Sequence, residues 1–326
     1  MDPVCHTLVG AALSRSGLGR RTALGATALI VGANLPDIDA ISYFAGPAAD
    51  LEWRRGWSHG VLALAVLPFA LTGALLLLNR WVRRPARWAT SATVEPRELL
   101  LLAFVAILSH PILDSLNTYG VRWLMPFSGR WFYGDTLFIV DPWVWLVLAL
   151  GVYVSRRRER FQRASPARPA RIALAAVTLY VGAMAISSLA AGRIVADEVS
   201  SMSGKSVQAT MAAPVLLQPF MREFVTQQES EYRVGTFRWL ERPQVNRAEV
   251  LAFPRGLPAH PAILPATQTP LGRRFLAWAR FPTFEIEQVG PTQYLVHVID
   301  LRYARGPGDR FGAVSIPVTV PTASVP

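Results

Sequence analysis

Lysine is almost missing from this chain: Lys205 is the only one among 33 basic residues, and the rest are arginine. Cysteine is equally scarce. Cys5 stands alone, which excludes an intramolecular disulfide and a thiolate metal cage. Charge of either sign is sparse: Asp, Glu, Lys and Arg make up 17% of the chain, against about 25% in an ordinary soluble domain. This argues against a purely soluble enzyme. With 52% hydrophobic residues, the chain is also no disordered polymer. No basic segment precedes an apolar stretch at the N-terminus, so no cleavable signal peptide is expected. No internal repeat is visible. There are five histidines, and His6, His59 and His110 fall in the most unusual segments. The length of 326 residues leaves room for roughly two domains.

Long apolar runs dominate the first part. Val61 to Leu78, Leu99 to Leu113, Leu137 to Val154 and Ile172 to Ala191 each approach the ~20 residues that cross ~30 Å of hydrocarbon. A backbone in lipid must satisfy its own hydrogen bonds, so these runs are expected as helices. Pro3 to Leu18 and Thr22 to Leu35 are weaker, small-residue-rich segments separated by Gly19-Arg20-Arg21. A tight helical hairpin there brings the expectation to six spans.

The arginines sort by loop. Arg15, Arg20 and Arg21 lie at the first turn. Arg80, Arg83, Arg84, Arg87 and Arg97 lie between the third and fourth spans, and Arg156, Arg157, Arg158, Arg160, Arg163, Arg168 and Arg171 between the fifth and sixth. The opposite loops hold Arg54, Arg55, Arg122 and Arg130. The positive-inside rule assigns the rich loops to the cytoplasm and both termini to the outside. The net charge of +11 is then a topology signal and a contact for anionic membrane lipid. Nucleic acid is not expected as a partner, because no aromatic-interleaved basic patch accompanies the arginines.

Beyond residue 192 the pattern changes. Leu295, His297, Ile299, Leu301 and Tyr303 alternate with Tyr294, Val296, Val298, Asp300 and Arg302, the period of a strand. Val314, Ile316, Val318 and Val320 alternate likewise, and Pro317 makes that strand an edge. The expected architecture is an α-helical multi-pass membrane domain of about six helices over 1–192. A smaller β-rich, exoplasmic or periplasmic soluble domain follows over 193–326.

Ionisable residues beside membrane spans are costly and commonly functional. Here they collect at one depth: His6, Asp37, Asp39, Arg55, His59, His110, Asp114, Asn117, Asp135 and Asp141 all fall at the outer boundary of that topology. His110 and Asp114 are four apart, hence on one helical face, with Pro111 disturbing that geometry. Asp37 and Asp39 flank one residue in a Pro-bounded turn. Imidazole and carboxylate together suit Zn²⁺, and also Mn²⁺ or Fe²⁺. Asp135 and Asp141 are open between ligand and helix cap, and Arg55 between snorkelling anchor and anion clamp. Cys5 reads as a small apolar helix residue and His297 as a strand residue. Trp57, Trp123, Trp131 and Trp143 read as an interfacial belt.

These residues resemble a known pattern. Thr7 beside His6 with Gly10 following, Pro36-Asp37-Ile38-Asp39, Arg55-Gly56-Trp57-Ser58-His59, His110 with Asp114, Asn117-Thr118-Tyr119-Gly120 and Asp141-Pro142 resemble the bacterial membrane-bound predicted metal-dependent hydrolases. Some of those are LexA-regulated inner-membrane proteins. The likeness covers residues 1 to 155, with Asp300-Leu301-Arg302-Tyr303 a further echo. Arg54 stands where such proteins often carry a histidine, which removes one ligand or base. The family is in turn similar, at a distance, to zinc-dependent phospholipase C and P1 nuclease. This chain lacks their later histidine-rich ligands, so one or two divalent ions, zinc first, are implied rather than three.

The leading expectation is a metal-dependent hydrolase in the inner membrane, acting at its outer face on a phosphoester in a lipid or lipid-linked substrate. His6, Asp37, His59, His110 and Asp114 are the candidate ligands. Asp39 is a bridging ligand or general base, Arg55 a phosphate clamp, and Asn117 a donor that orients a ligand. The rival readings are a metal-ion or proton transporter and a non-enzymatic membrane scaffold.

Overall fold

The computed structural model describes residues 1–82, 93–309 and 311–320. The expected loop arginines Arg83, Arg84 and Arg87 lie outside the described residues. A helical N-terminal part is followed by a β-sheet region, and the chain divides into two compact units. The first holds Met1–Ile41 and Trp53–Ala185, the second Ser42–Glu52 and Ile186–Pro326.

The first unit contains α1 (Pro3–Arg15), α2 (Gly25–Gly32), α4 (Val61–Val82), α5 (Pro96–Asp114), α6 (Pro142–Arg160) and the first half of α7 (Arg168–Ser203). Several helix starts are written in the sequence. Asp2 caps α1 by accepting the N–H groups of Val4 and Cys5, with Pro3 in the first turn. Asp141 does the same for α6 through Trp143 and Val144, with Pro142 following. Both satisfy backbone donors that a helix start leaves open.

Among the described residues, three helices are long and apolar enough to cross a membrane: Val61–Trp81 of α4, α5 and α7. The expectation of six is corrected for physical reasons. α1 has 13 residues and α2 has 8. At 1.5 Å per residue they reach ~20 and ~12 Å, short of the ~30 Å hydrocarbon core. α6 has 19 residues, but Arg156, Arg157, Arg158 and Arg160 occupy its end, which leaves too short an apolar stretch.

α2 sits against α1, α4 and α5. Its core is Ala28 and Leu29 packed on Leu71, Leu75, Leu99, Leu102, Ala103, Ala106 and Ile107. Close approach needs glycine. A Cβ on Gly10 of α1 would lie 2.6 Å from the Leu29 carbonyl oxygen, and one on Gly32 would lie 2.9 Å from Ala106 Cβ. A second cluster joins Cys5, Val9 and Ala12 of α1 to Val144 and Leu148 of α6 and Val177 and Met184 of α7. Cys5 is an apolar packing residue in it.

Charges mark one end of this unit. Arg15 and Arg20 pair with Glu159, Arg21 with Glu98, and Arg171 Nε donates to the Ser16 carbonyl at 2.7 Å. The C-terminal ends of α1 and α6 and the N-terminal ends of α5 and α7 thus meet there. The opposite ends of α1, α5 and α6 carry His6, Asp114 and Asp141.

The second unit contains α3 (Pro47–Trp53, less its last residue) and the continuation of α7. It also holds an antiparallel sheet in order β1 (Ala209–Val215), β2 (Gln218–Gln227), β3 (Glu231–Arg238), β4 (Leu251–Pro254). After α8 (Ile263–Gln268) and α9 (Pro270–Trp278) comes a second antiparallel sheet, β5 (Pro282–Gln288), β6 (Gln293–Asp300), β7 (Ala313–Thr319). β7 is an edge strand, as Pro317 demands. Ala191, Val195 and Val199 of α7 pack on Ala212, Phe224, Phe237 and Val245. The 192/193 boundary read from composition therefore falls inside a continuous helix. Composition senses where polarity changes, whereas α7 keeps one hydrogen-bond ladder through that point. His297 lies in β6 with Nδ1 2.8 Å from Ser315 Oγ. Asp300 and Arg302 form a buried ion pair at 2.7 Å, and the Arg302 guanidinium lies 4.5 Å from the Trp278 ring centroid.

Candidate metal centre

Four side chains from three segments converge. Asp37 lies in the 3₁₀ segment Leu35–Ala45, His59 in the turn before α4, and His110 and Asp114 in the last turns of α5. One donor atom from each lies within 4.8 Å of the others. His59, His110 and Asp114 have no exposed side-chain surface, while Asp37 keeps 24%. The i, i+4 relation of His110 and Asp114 survives Pro111: Asp114 Oδ2 stands 3.6 Å from His110 Nε2.

Hydrogen bonds fix how both imidazoles face. His110 Nδ1 lies 2.7 Å from the Ala33 carbonyl oxygen. A carbonyl only accepts, so Nδ1 carries the proton and Nε2 the lone pair. His59 Nδ1 lies 3.1 Å from Asp39 Oδ2, which again leaves Nε2 as the lone-pair nitrogen. The two Nε2 atoms are 3.1 Å apart. Two nitrogens held at ~2.0–2.1 Å from one tetrahedral ion are ~3.3 Å apart. Asp114 Oδ2 is 3.3 Å from His59 Nε2. It is buried and accepts no hydrogen bond, although Arg55 Nε stands 3.2 Å away. Converging lone pairs and a carboxylate oxygen without a hydrogen-bond donor form a donor set that fits a divalent ion of the Zn²⁺ type, with Mn²⁺ and Fe²⁺ also compatible.

The protonation states suit ligation. Burial pushes the His59 imidazole down to about 4, against the upward pull of the Asp39 carboxylate, so it is neutral near pH 7. Asp39 is raised by burial and lowered more strongly by His59, Ser58 and the Arg55 N–H.

The remaining sequence candidates surround this group. His6 is beside it: its ring stacks on His110 at 3.6 Å between centroids, and its Nε2 is 3.3 Å from Asp114 Oδ1, which the Met1 amine also contacts. Asp39 is on the far side of His59, where a carboxylate orients a ligand rather than bridging ions. Its Oδ2 accepts from the Arg55 N–H at 2.7 Å and the Ser58 hydroxyl at 2.8 Å. Arg55 is buried, so it is no snorkelling anchor. Its Nη1 donates to Asn117 Oδ1 at 2.9 Å, and its guanidinium lies 4.7 Å from the Tyr119 ring centroid. Asn117 thus holds Arg55. Asp141 is a helix cap that also accepts from the Tyr180 hydroxyl at 3.0 Å, and Asp135 lies outside the four-residue group. Sequence reasoning gave no role to Ser58, Tyr119 or the Ala33 carbonyl. The first two lie inside motifs already visible, whereas a backbone acceptor leaves no sequence signal.

Neither the curated proteins nor the solved structures contain a match to this chain. A family model described as YdjM inner membrane protein matches residues 1–191. That description names a membrane location and no chemistry, so the expected likeness to hydrolases and to phospholipase C is not part of it. The matched segment covers α1 to α6, most of α7 and the whole donor group, and by that match the chain belongs to the YdjM inner membrane protein family.

Proposed function

We propose that this inner-membrane protein is a metal-dependent hydrolase acting at the outer face on a phosphoester in a lipid or lipid-linked substrate. The observation that supports this reading is the buried group Asp37, His59, His110 and Asp114, with two imidazole lone pairs facing each other at 3.1 Å. A mixed nitrogen and oxygen set is the donor type of catalytic sites, which keep a position for water; with four protein donors that position comes from five-coordination or from release of the partly exposed Asp37. A divalent ion there supplies Lewis acidity, polarising a phosphoryl oxygen and acidifying water. Asp39 holds the imidazole of His59 in its ligating tautomer. The Ala33 carbonyl does the same for His110. Arg55, fixed by Asn117 and Tyr119, gives a permanent positive charge at the edge of the group, suited to a phosphoryl anion. His6 supports the Asp114 carboxylate through its other oxygen.

The arginine-rich end of the first unit is assigned to the cytoplasm. α4 then runs inward from His59, α5 outward to Asp114, and α7 outward from Arg168, which leaves the β-sheet region exoplasmic. This reading needs α6 as a further crossing beside the three apolar helices, its short apolar stretch completed by the arginines at its end, which snorkel to the cytoplasmic side.

Purified protein should carry divalent metal and hydrolyse at least one member of a phosphodiester and phospholipid panel, with His110→Ala inactive. Metal-loaded protein inert on the whole panel would sink the hydrolase reading while leaving the metal centre standing.

A further inference from the structure

The first turn of the second unit's sheet is unusual. The two-residue connection between β1 and β2 is Leu216-Leu217, where glycine, asparagine or aspartate ordinarily sits. Leu217 holds a left-handed φ of 63°, a conformation that leucine adopts only at a cost. Leu216, Leu217 and nearby Phe220 are all exposed, and Leu240, just past β3, is 79% exposed. Trp239 N–H donates to the Phe220 carbonyl at 2.9 Å, so these side chains belong to one end of the sheet. Farther along β2, Phe224, Val225 and Thr226 are buried. Along β2 the bare apolar surface is thus confined to the tip.

Hydrogen bonds fix the level of that tip on α7. Arg222 Nη2 donates to Ser187 Oγ at 2.8 Å and Nε to Ser188 Oγ at 3.2 Å, and Trp239 Nε1 donates to Ser187 Oγ at 2.8 Å. Ser187 lies inside the uncharged stretch of α7 from Ile172 to Gly192. The first charged residue beyond it is Arg193, six positions on, or ~9 Å along the helix. Ile186 and Leu189 on α7 are themselves exposed. On a helix that is apolar and long enough to cross a membrane, that is the surface lipid covers. The strands are therefore held at the level of α7 where its exposed surface is apolar. On α7 itself, Arg193 and then Asp197 and Glu198 mark where water begins.

We propose that the β1–β2 turn and the end of β3 dip into the same membrane leaflet from which α7 emerges, with Leu216, Leu217, Phe220 and Leu240 inserted among the lipid chains and Trp239 at the headgroup level. Ser187, to which Arg222 and Trp239 bond, lies ~9 Å along α7 from Arg193, within the ~5–10 Å depth at which interfacial apolar faces lie. The buried Arg222 fastens the strand to the helix by donating to serine hydroxyls and to the Pro219 and Met221 carbonyls, so the tip stays at that depth.

The test is depth-dependent quenching. Leu217→Cys, Leu240→Cys and Lys205→Cys full-length chains are labelled with an environment-sensitive fluorophore. They are then reconstituted in vesicles of phosphatidylethanolamine and phosphatidylglycerol (3:1), with unmodified chain, whose Cys5 is buried, as the blank. Labels at 217 and 240 should be quenched several-fold more than the label at 205 by nitroxide on the lipid acyl chains, and several-fold less by aqueous iodide. Iodide quenching at 217 and 240 equal to that at 205 would overturn the proposal. Shielding from both quenchers would overturn it too, because it would mean that protein, a second copy included, covers the tip. Leu240 lies outside the turn, so its label reports even if Leu217→Cys disturbs the hairpin.

Discussion

Asp39 stands behind His59, 3.1 Å from its Nδ1, and three groups give their protons to its Oδ2. At the scale of single residues it is the part of the centre most open to separation from ligation itself. Removal of a ligand and removal of an orienting carboxylate should differ in degree. His59→Ala and His110→Ala should each leave little metal on the purified chain, although the two residues are far apart in sequence. Asp39→Asn should weaken metal affinity ~10–100-fold, the usual effect of losing a carboxylate behind a ligating histidine. His297→Ala, which removes a strand residue bonded to Ser315, should retain metal fully. Metal analysis per chain, with thermal unfolding to show that all variants fold, checks the series. Unchanged metal content in His59→Ala and His110→Ala together would mean that no shared centre exists.

Among the elements, α2 is short and gains its place by close packing. Its glycine and alanine contacts with α1 and α5 bring the Ala33 carbonyl to His110 Nδ1. Small residues at such contacts let helix backbones approach. A methyl group on Gly10 meets the Leu29 carbonyl oxygen, a backbone atom that cannot turn aside. Gly10→Ala should therefore destabilise the first unit by about 1–3 kcal/mol, the range for an overpacked core, read as a lowered Tm in detergent. Gly73, inside α4 with nothing within 4 Å of an added Cβ, is the matched control, and its replacement by alanine should leave Tm unchanged or raise it. Equal Tm in both variants would show that the α1–α2 contact yields.

For the whole molecule, charge asymmetry decides direction. Lys205 follows α7 directly, and Arg163 lies between α6 and α7. In intact cells a membrane-impermeant thiol reagent should label Lys205→Cys but not Arg163→Cys, and lysis should expose the second. The reverse pattern would place the β-sheet region in the cytoplasm and the donor group at the inner face.

Much of this was legible in the residues themselves. Apolar runs marked α4, α5 and α7, Asp-Pro and Pro punctuation marked the starts of α1 and α6, and period-two alternation marked β6 and β7, because each of these signals is local. Crossing length was not readable for α1, α2 and α6. Gly17, with a left-handed φ of 113°, lies just past the end of α1, and α6 spends its last turn on arginines, so both offer less apolar length than their mean apolarity suggests. Spacing within one helix paired His110 with Asp114. It could not tell that Asp37 and His59 join them while Asp39 turns to the back of His59, since those distances depend on how α2, α4 and α5 pack. The same holds for Arg55, whose burial against Asn117 and Tyr119 follows from the chain fold around it. The sequence by itself determined which residue types were available at one end of the helices and which stretches prefer lipid. Only the tertiary structure decided which nitrogen faces which oxygen, because ligand orientation depends on hydrogen bonds to partners such as the Ala33 carbonyl, a backbone group that every residue type carries alike.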